Sequence, residues 1–144
     1  MSCEQYMIRQ ISLFSENKPG RLAAMAKACQ EENVNILAFS IAEAEGFGVI
    51  RALVDKPDVA FKKLTSMGFN VAFTHVIAVE MKDEPGGLFE IASKLSEAEI
   101  NIEYSYAFSG KSRAVLILRV DQVEEAVRLL LHHKFTLIGS EAIY

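Results

Sequence analysis

The sequence has no tryptophan, only two cysteines, and no apolar run long enough to cross a bilayer. The two cysteines, Cys3 and Cys29, are not spaced as metal ligands are, and the same is true of the three histidines. We therefore predict no metal site. Cys29 is expected to be a small buried residue on the apolar face of a helix. Residues 1–5 lack the basic and apolar regions of a signal peptide, which makes the cytoplasm the default expectation.

An excess of positive charge is also missing. The formal net charge of −4 argues against a nucleic-acid partner, which would require a basic face. Residues 1–74 carry 8 basic and 8 acidic side chains, whereas residues 75–144 carry 7 and 11. The whole acidic excess therefore lies in the second half of the chain, which indicates unequal roles for the two halves.

The chain contains one pattern twice. Ser15-Glu16-Asn17-Lys18-Pro19-Gly20-Arg21-Leu22 recurs 66 residues later as Met81-Lys82-Asp83-Glu84-Pro85-Gly86-Gly87-Leu88. The same ungapped offset pairs further residues of identical type, which are Ala26 with Ala92, Asn35 with Asn101, Ile36 with Ile102 and Leu64 with Leu130. We therefore predict one supersecondary unit used twice, as residues 1–74 and 75–144.

Each Pro-Gly pair joins an apolar strand to a helix. Proline suits the first helical position, and glycine allows another group to approach the backbone closely. The free N–H groups of the first turn, at the positive end of the helix dipole, are a ready site for a small anion such as a carboxylate. The alternative is that Pro-Gly only marks the start of a helix.

Hydrophobic periodicity predicts the order βαββαβ in each copy. In the first copy we expect strands over residues 6–14, 34–43, 47–54 and 69–73, with helices from 20 to about 33 and from an N-cap at Asp55 to Gly68. In the second copy we expect strands over 76–81, 101–109, 113–120 and from 137 onward, with helices over 87–99 and from an N-cap at Asp121 to about 134. A turn is expected at Gly110-Lys111-Ser112, and only Thr74-His75 separates the copies.

This order is typical of a ferredoxin-like α+β unit, with a four-stranded antiparallel sheet and two helices on one face. The second and fourth strands lie at the sheet edges, and an exposed edge is a liability. The second strand of each copy is a good candidate for pairing side by side with the other.

Each copy resembles an ACT domain, the small amino-acid-binding regulatory module of amino-acid metabolism. The resemblance rests on Asn17 to Leu22 followed by Val34-Asn35-Ile36, and on Asp83 to Leu88 followed by Ile100-Asn101-Ile102. It covers nearly the whole chain and leaves no room for a catalytic domain. The resemblance therefore implies a free-standing tandem pair, similar to the regulatory parts of phosphoglycerate dehydrogenase, aspartokinase and the acetolactate synthase small subunit.

The resemblance also implies where an effector binds. In the family, the effector lies between the loop of one module and the second strand of its neighbour. Carried over, one site joins Ser15, Asn17, Gly20 and Arg21 to Asn101, and the other joins Met81, Asp83, Gly86 and Gly87 to Asn35. The remaining candidates are Lys18, Pro19 and Leu22 in the first loop, Leu88 in the second, and Tyr104, which could line a pocket or simply pack on its strand.

Two departures from the family pattern favour the first loop. Ser15 and Met81 stand where a histidine is typical of the dehydrogenase-type site. Asp83 and Glu84 make the second loop acidic, which suits an ammonium group and opposes a carboxylate. Lys18 and Arg21 make the first loop locally positive, although both could be solvated surface residues.

Three functions remain open, because one fold hosts many functions. The chain is a non-catalytic amino-acid sensor, or a regulatory subunit that docks on a metabolic enzyme in the manner of an acetolactate synthase small subunit, or a small enzyme. The third is disfavoured because no phosphate-binding loop, nucleophile elbow or paired-cysteine motif is present. We expect no cofactor, and we expect a homodimer, because a symmetric pair closes sheet edges.

Overall fold

The computed structural model describes residues 3–109 and 113–144, so the turn expected at Gly110-Lys111-Ser112 lies outside the described residues. Within them the chain forms seven strands, five α-helices and a short 3-10 turn at Glu4–Tyr6. The elements follow in the order β1 (Ile8–Glu16), α1 (Arg21–Glu31), β2 (Ile36–Ala44), β3 (Phe47–Val54), α2 (Pro57–Ser66), β4 (Asn70–Met81), α3 (Gly87–Glu97), β5 (Ile102–Ser109), β6 (Ala114–Val120), α4 (Val123–His132), β7 (Leu137–Ile138) and α5 (Ser140–Ile143).

The chain divides into two compact units. The N-terminal unit comprises Arg9–Thr74 with Ile143–Tyr144, and the C-terminal unit comprises residues 3–8 with residues 75–142. Strand order is β2-β3-β1-β4 in the first unit and β5-β6-β4-β7 in the second. Both orders are those of a ferredoxin-like sheet, which confirms the predicted α+β class and the two βαββαβ units.

Each unit has its own apolar core beneath its helices. In the N-terminal unit, Met25, Ala28 and Cys29 lie at helical spacing on the buried face of α1 and pack with the β1 and β3 residues Ile11 and Ile50. In the C-terminal unit, α3 and α4 cover the sheet through residues such as Ile91, Leu95, Ala126, Val127 and Leu130. Cys29 is buried, as predicted, and burial raises the pKa of its thiol.

Two strands differ from the sequence prediction. Residues 69–73 and 76–81 were expected as separate strands joined by Thr74-His75, but β4 runs through both residues without a break. Val71, Thr74 and Val76 are β-branched, and this composition favours an uninterrupted strand. The last strand is shorter than expected, since β7 ends at Ile138 and α5 begins two residues later.

The second strand of each unit is paired on one side. Within its own unit β2 pairs with β3, and β5 pairs with β6. The two edges differ in character, because Phe39 and Ile41 on β2 are 48% and 44% exposed, whereas β5 exposes Glu103, Ser105 and Ser109. None of the helices in the described ranges is long and apolar enough to span a membrane.

Candidate functional site

The first loop connects β1 to α1 through a left-handed glycine. Gly20 has φ of 95° and is the N-cap residue, so α1 begins at Arg21, one residue after the predicted start. Pro19 therefore precedes the helix and does not take its first position. No side chain caps this helix. The N–H groups of Leu22 and Ala23 have no acceptor among the described residues, and they lie at the positive end of the helix. The loop thus offers free donors at its helical end.

A cavity of about 420 Å³, called here the first cavity, lies against this loop. It contains every residue that the sequence predicted in the first loop, and its lining is Ser15, Glu16, Asn17, Lys18, Pro19, Gly20, Arg21, Leu22, Ala23, Ile41, Gly48 and Ile50. All of these residues belong to the N-terminal unit. The structure therefore brings the predicted loop residues together around one opening.

Asn17 is fixed in this cavity by the start of β3. Its backbone N–H donates to the Gly46 carbonyl oxygen at 2.8 Å. Its side chain packs against the backbone of Gly48, where an added Cβ would lie only 3.2 Å from the Asn17 Cβ. The backbone and the Cβ of Asn17 are thus held at the cavity wall, and its exposed amide can both donate and accept hydrogen bonds.

Of the two cations that line the first cavity, Lys18 has a carboxylate partner and Arg21 has none among the described residues. The Lys18 ammonium lies 3.6 Å from the Glu16 carboxylate, and both side chains are largely exposed. Arg21 has no carboxylate or other hydrogen-bonding partner for its side chain among the described residues, and its Nε is buried without an acceptor. The first cavity therefore retains one uncompensated cation, next to the free N–H groups of α1.

A second cavity of about 440 Å³ lies beside the second loop. It has a different lining, made of Glu80, Met81, Lys82, Asp83, Glu84, Gly87, Glu90, Ile91, Arg113, Lys134, Phe135 and Thr136. Met81, Asp83 and Gly87 line it, whereas the other two predicted residues of the second loop, Gly86 and Leu88, do not. Glu80 pairs with Arg113, and Lys82 lies 3.5 Å from Glu90, so Asp83 and Glu84 are left as acidic groups without a recorded partner in the described ranges.

Gly87 shows that the two loops are not interchangeable. It occupies the position that Arg21 holds in the first copy, yet an added Cβ at Gly87 would lie 2.0 Å from the carbonyl oxygen of Lys82. No side chain fits there without a shift of the backbone. The second loop therefore cannot present a cation at this position.

Asn35 and Asn101 have a structural role that is repeated in the two units. The Asn35 N–H donates to the Asp55 carboxylate at 2.8 Å, and the Asp55 N–H donates to the Asn35 carbonyl oxygen at 3.1 Å. Asn101 and Asp121 make the same pair of bonds, at 3.0 and 3.2 Å. The prediction that Asp55 and Asp121 are N-caps was therefore wrong. Neither aspartate side chain bonds to the start of its helix, and the N-cap residues are Lys56 for α2 and Gln122 for α4.

The side chains predicted to complete the sites lie elsewhere in the chain. Asn101 lines a shallow cavity with Ser96 and Glu99, and Asn35 lines another with Cys29 and Asp55. Tyr104 is half-buried on β5 and lines neither of the two loop cavities. A contribution of Asn35, Asn101 or Tyr104 to effector binding stays a prediction.

Sequence reasoning missed five residues of the first cavity. Two of them, Glu16 and Ala23, lie beside the predicted loop residues, and the other three, Ile41, Gly48 and Ile50, come from β2 and β3. Ile41 and Ile50 lie directly opposite one another on β2 and β3, and Gly48 lies two residues before Ile50 on the same face. Period-2 alternation along β3 would have placed Gly48 and Ile50 on one face. The position of that face against the first loop could not be read from the sequence.

The match to a protein-family model decides the family. Residues 6–144 match the model of an ACT domain pair. The chain belongs to the ACT domain pair family. This confirms the resemblance predicted from the two Pro-Gly motifs, and it assigns the first cavity to the loop of an ACT module.

Solved structures show the same fold. Protein BT0572 from Bacteroides thetaiotaomicron is 32% identical to this ACT pair, with 96% of each chain covered and a TM-score of 0.91. The regulatory subunits of aspartate kinase from Thermus thermophilus and Thermus flavus share the fold at 15% identity and TM-scores of 0.64 and 0.61. The match to the Thermus thermophilus subunit covers 89% of this chain and 94% of that subunit. The match to the Thermus flavus subunit covers 88% of this chain and 92% of that subunit. No curated protein matches this sequence.

Proposed function

We propose that this ACT domain pair is a non-catalytic sensor that binds a free amino acid in the first cavity. The observation that carries the proposal is the meeting of three groups at one opening. They are the first N–H groups of α1 and the Arg21 guanidinium, which have no acceptor among the described residues, and the Asn17 amide. A zwitterion requires donors for its carboxylate and an acceptor for its ammonium group, and these groups supply both.

A non-catalytic role is supported by the side chains around the cavity. Among the described residues that line it, Ser15 alone has a hydroxyl group, and this hydroxyl donates to the Glu16 carbonyl oxygen at 2.9 Å. No histidine lines the cavity, so Ser15 has no imidazole base of the kind that activates a serine nucleophile. The first cavity therefore has groups suited to binding and no nucleophile with its base.

Thermal unfolding in the presence of each common amino acid tests this proposal. A ligand at about a hundred times its dissociation constant adds about 2.7 kcal/mol if it binds only the folded state. For a chain of this size the expected rise in melting temperature is roughly 5–10 °C. We expect the rise with one or a few amino acids and its loss in Asn17→Ala.

Two further variants locate the binding. Asp83→Ala changes the matching residue of the second loop, and it should leave the rise unchanged if the first loop alone binds. Asn101→Ala should reduce the rise if the family geometry applies. A protein that melts cooperatively but shows no rise with any amino acid would contradict the sensor proposal.

A second candidate is a regulatory subunit that docks on an enzyme of amino-acid metabolism, as an acetolactate synthase small subunit would. It is favoured by Leu88 and Phe89 at the start of α3, which are 54% and 72% exposed beside acidic residues. Exposed apolar side chains at one place are typical of an interaction site. A tagged chain should retain such an enzyme, and the Leu88→Ser/Phe89→Ser double variant should lose it.

We also propose a homodimer formed along the β2 edge. This edge is unpaired among the described residues and exposes Phe39 and Ile41, without a charged side chain until Glu43. An apolar edge of this kind favours pairing with a second strand. Light scattering should give twice the chain mass of 16.0 kDa. A Phe39→Lys/Ile41→Lys variant should give the monomer mass, and a wild-type monomer at high concentration would overturn the proposal.

A further inference from the structure

We propose that the first cavity is selective for an α-amino acid with an aliphatic side chain. This inference rests on the proposed sensor function and names the class of its ligand. It depends on the division of the first cavity into a cationic end and an apolar wall.

The cationic end holds the ligand carboxylate. Glu16 and Lys18 already compensate one another in solvent, so Arg21 is the cation that an incoming anion meets. The Nε edge of the Arg21 guanidinium is buried without an acceptor, and this partial desolvation strengthens its attraction for an anion. A planar guanidinium also matches the geometry of a carboxylate, to which it can donate two parallel hydrogen bonds.

The apolar wall receives the ligand side chain. Ile41 and Ile50 are directly opposite each other on adjacent strands, so their side chains share one face of the sheet. Gly48, on the same face, has no side chain of its own, and the Asn17 side chain packs against it. A charged side chain of a ligand would lose part of its hydration against the two isoleucines. The charged loop residues Glu16 and Lys18 also line the cavity, but they already lie 3.6 Å from one another.

Glu43, two residues after Ile41 on β2, does not change that conclusion. Glu43 lies opposite Gly48 in the register of β2 and β3. Its carboxylate accepts a hydrogen bond from the Gly46 N–H at 2.8 Å, and Glu43 does not line the cavity. The Glu43 carboxylate is therefore hydrogen-bonded within the turn between β2 and β3, and it is not a partner for a basic ligand.

The second cavity lacks this combination. Its loop has Asp83, Glu84 and Gly87 where the first loop has Asn17, Lys18 and Arg21. A carboxylate ligand would meet Asp83 and Glu84 there. Of the cations that line the second cavity, Lys82 and Arg113 are paired with glutamates, and Lys134 alone is left to balance these two acidic groups among the described residues. The selectivity that we propose therefore belongs to the first cavity alone, at one site per chain.

Calorimetric titration of the full chain with valine, threonine, aspartate and lysine tests the inference. Threonine has nearly the shape of valine but replaces one methyl group with a hydroxyl. We expect valine to bind about 10–100-fold more tightly than threonine, and aspartate and lysine to give no binding. Tighter binding of threonine, aspartate or lysine than of valine would overturn the inference and leave the sensor proposal intact. Absence of binding by every amino acid would overturn both.

Variants of Arg21 test the carboxylate end. Arg21→Gln should weaken valine binding by about 10–100-fold, because the ligand loses a charge-assisted hydrogen bond. Arg21→Lys keeps the charge and should recover part of the affinity. Lys27→Gln makes the same charge change on an exposed face of α1 outside the cavity and should have no effect. Melting curves without ligand establish that each variant is folded, and a folded Arg21→Gln with unchanged affinity would overturn the role of Arg21.

Discussion

Single residues distinguish the two loops more clearly than the repeat suggests. Arg21 and Gly87 hold matching positions, but only the first leaves room for a side chain. The divergence at this position explains why the cation occurs in one loop and not in the other. It also makes a strong prediction about the tolerance of each position to substitution.

Gly87→Ala should destabilise the protein, because its Cβ would lie 2.0 Å from the Lys82 carbonyl oxygen. We expect a loss of unfolding free energy of about 1–3 kcal/mol, measured by chemical denaturation. Gly139→Ala is the matched control in the same unit, since its Cβ would lie 3.4 Å from the Gln5 carbonyl oxygen. Equal losses for the two variants would show that the close contact at Gly87 has no energetic consequence.

The backbone conformation after each helix is the same in both units, although the residue types differ. α1 and α3 are each followed by a residue in the left-handed region, Asn33 and Glu99, with φ of 55° and 57°. After α2 and α4 the same place is taken by Gly68 and Lys134, with φ of 90° and 64°. The backbone conformation is thus common to both units, although glycine is present at only one of these four positions.

The substitutions Gly68→Lys and Lys134→Gly should change the free energy of unfolding in opposite directions. Left-handed backbone costs a residue with a Cβ roughly 1–2 kcal/mol more than it costs glycine. We therefore expect Gly68→Lys to lower the free energy of unfolding by about 1 kcal/mol and Lys134→Gly to raise it by a smaller amount. Denaturant unfolding of both variants checks this, and a stabilising Gly68→Lys would contradict it.

These elements also show what the sequence could and could not predict. The order βαββαβ and the first loop followed from periodicity and the Pro-Gly motif, which are local signals. The continuity of β4 and the bonds between Asn35 and Asp55 depend on tertiary hydrogen bonding, which local patterns do not report. Ile41 and Gly48 became site residues only when the sheet register placed them against the loop.

Each end of the chain belongs to the unit that the rest of the other half forms. Residues 3–8 belong to the C-terminal unit, and Ile143–Tyr144 belong to the N-terminal unit. The Tyr144 hydroxyl accepts a hydrogen bond from the Arg9 N–H at 2.7 Å. The Arg9 guanidinium lies over the ring of Phe73 and donates to the Asp58 carboxylate at 2.9 Å. Arg9 thus links β1, α2 and the last residue of the chain.

The ion pair of Arg9 and Asp58 predicts a dependence of stability on pH. The hydrogen bond from Arg9 lowers the pKa of Asp58 below its ordinary value. A group whose pKa is lowered in the folded state stabilises it above the unfolded-state pKa, which is about 3.9 for aspartate. This contribution is lost as the pH falls through the lower, folded-state pKa.

Asp58→Asn should therefore be less stable than wild type at neutral pH, and the difference should diminish below about pH 4. Thermal unfolding across this pH range measures the effect. Glu32→Gln, at an exposed residue without a recorded partner in the described ranges, is the control for removal of one negative charge. A difference that persists unchanged at the acid end would contradict the assignment.

The most direct test of the sensor proposal is the location of a bound amino acid by nuclear magnetic resonance. Backbone amide signals of the full chain are followed while an amino acid that raises the melting temperature is added. We predict the largest shifts at Asn17, Arg21, Leu22, Ala23 and Gly48, which surround the first cavity. Shifts confined to the residues of the second cavity, with the first loop unchanged, would contradict the account.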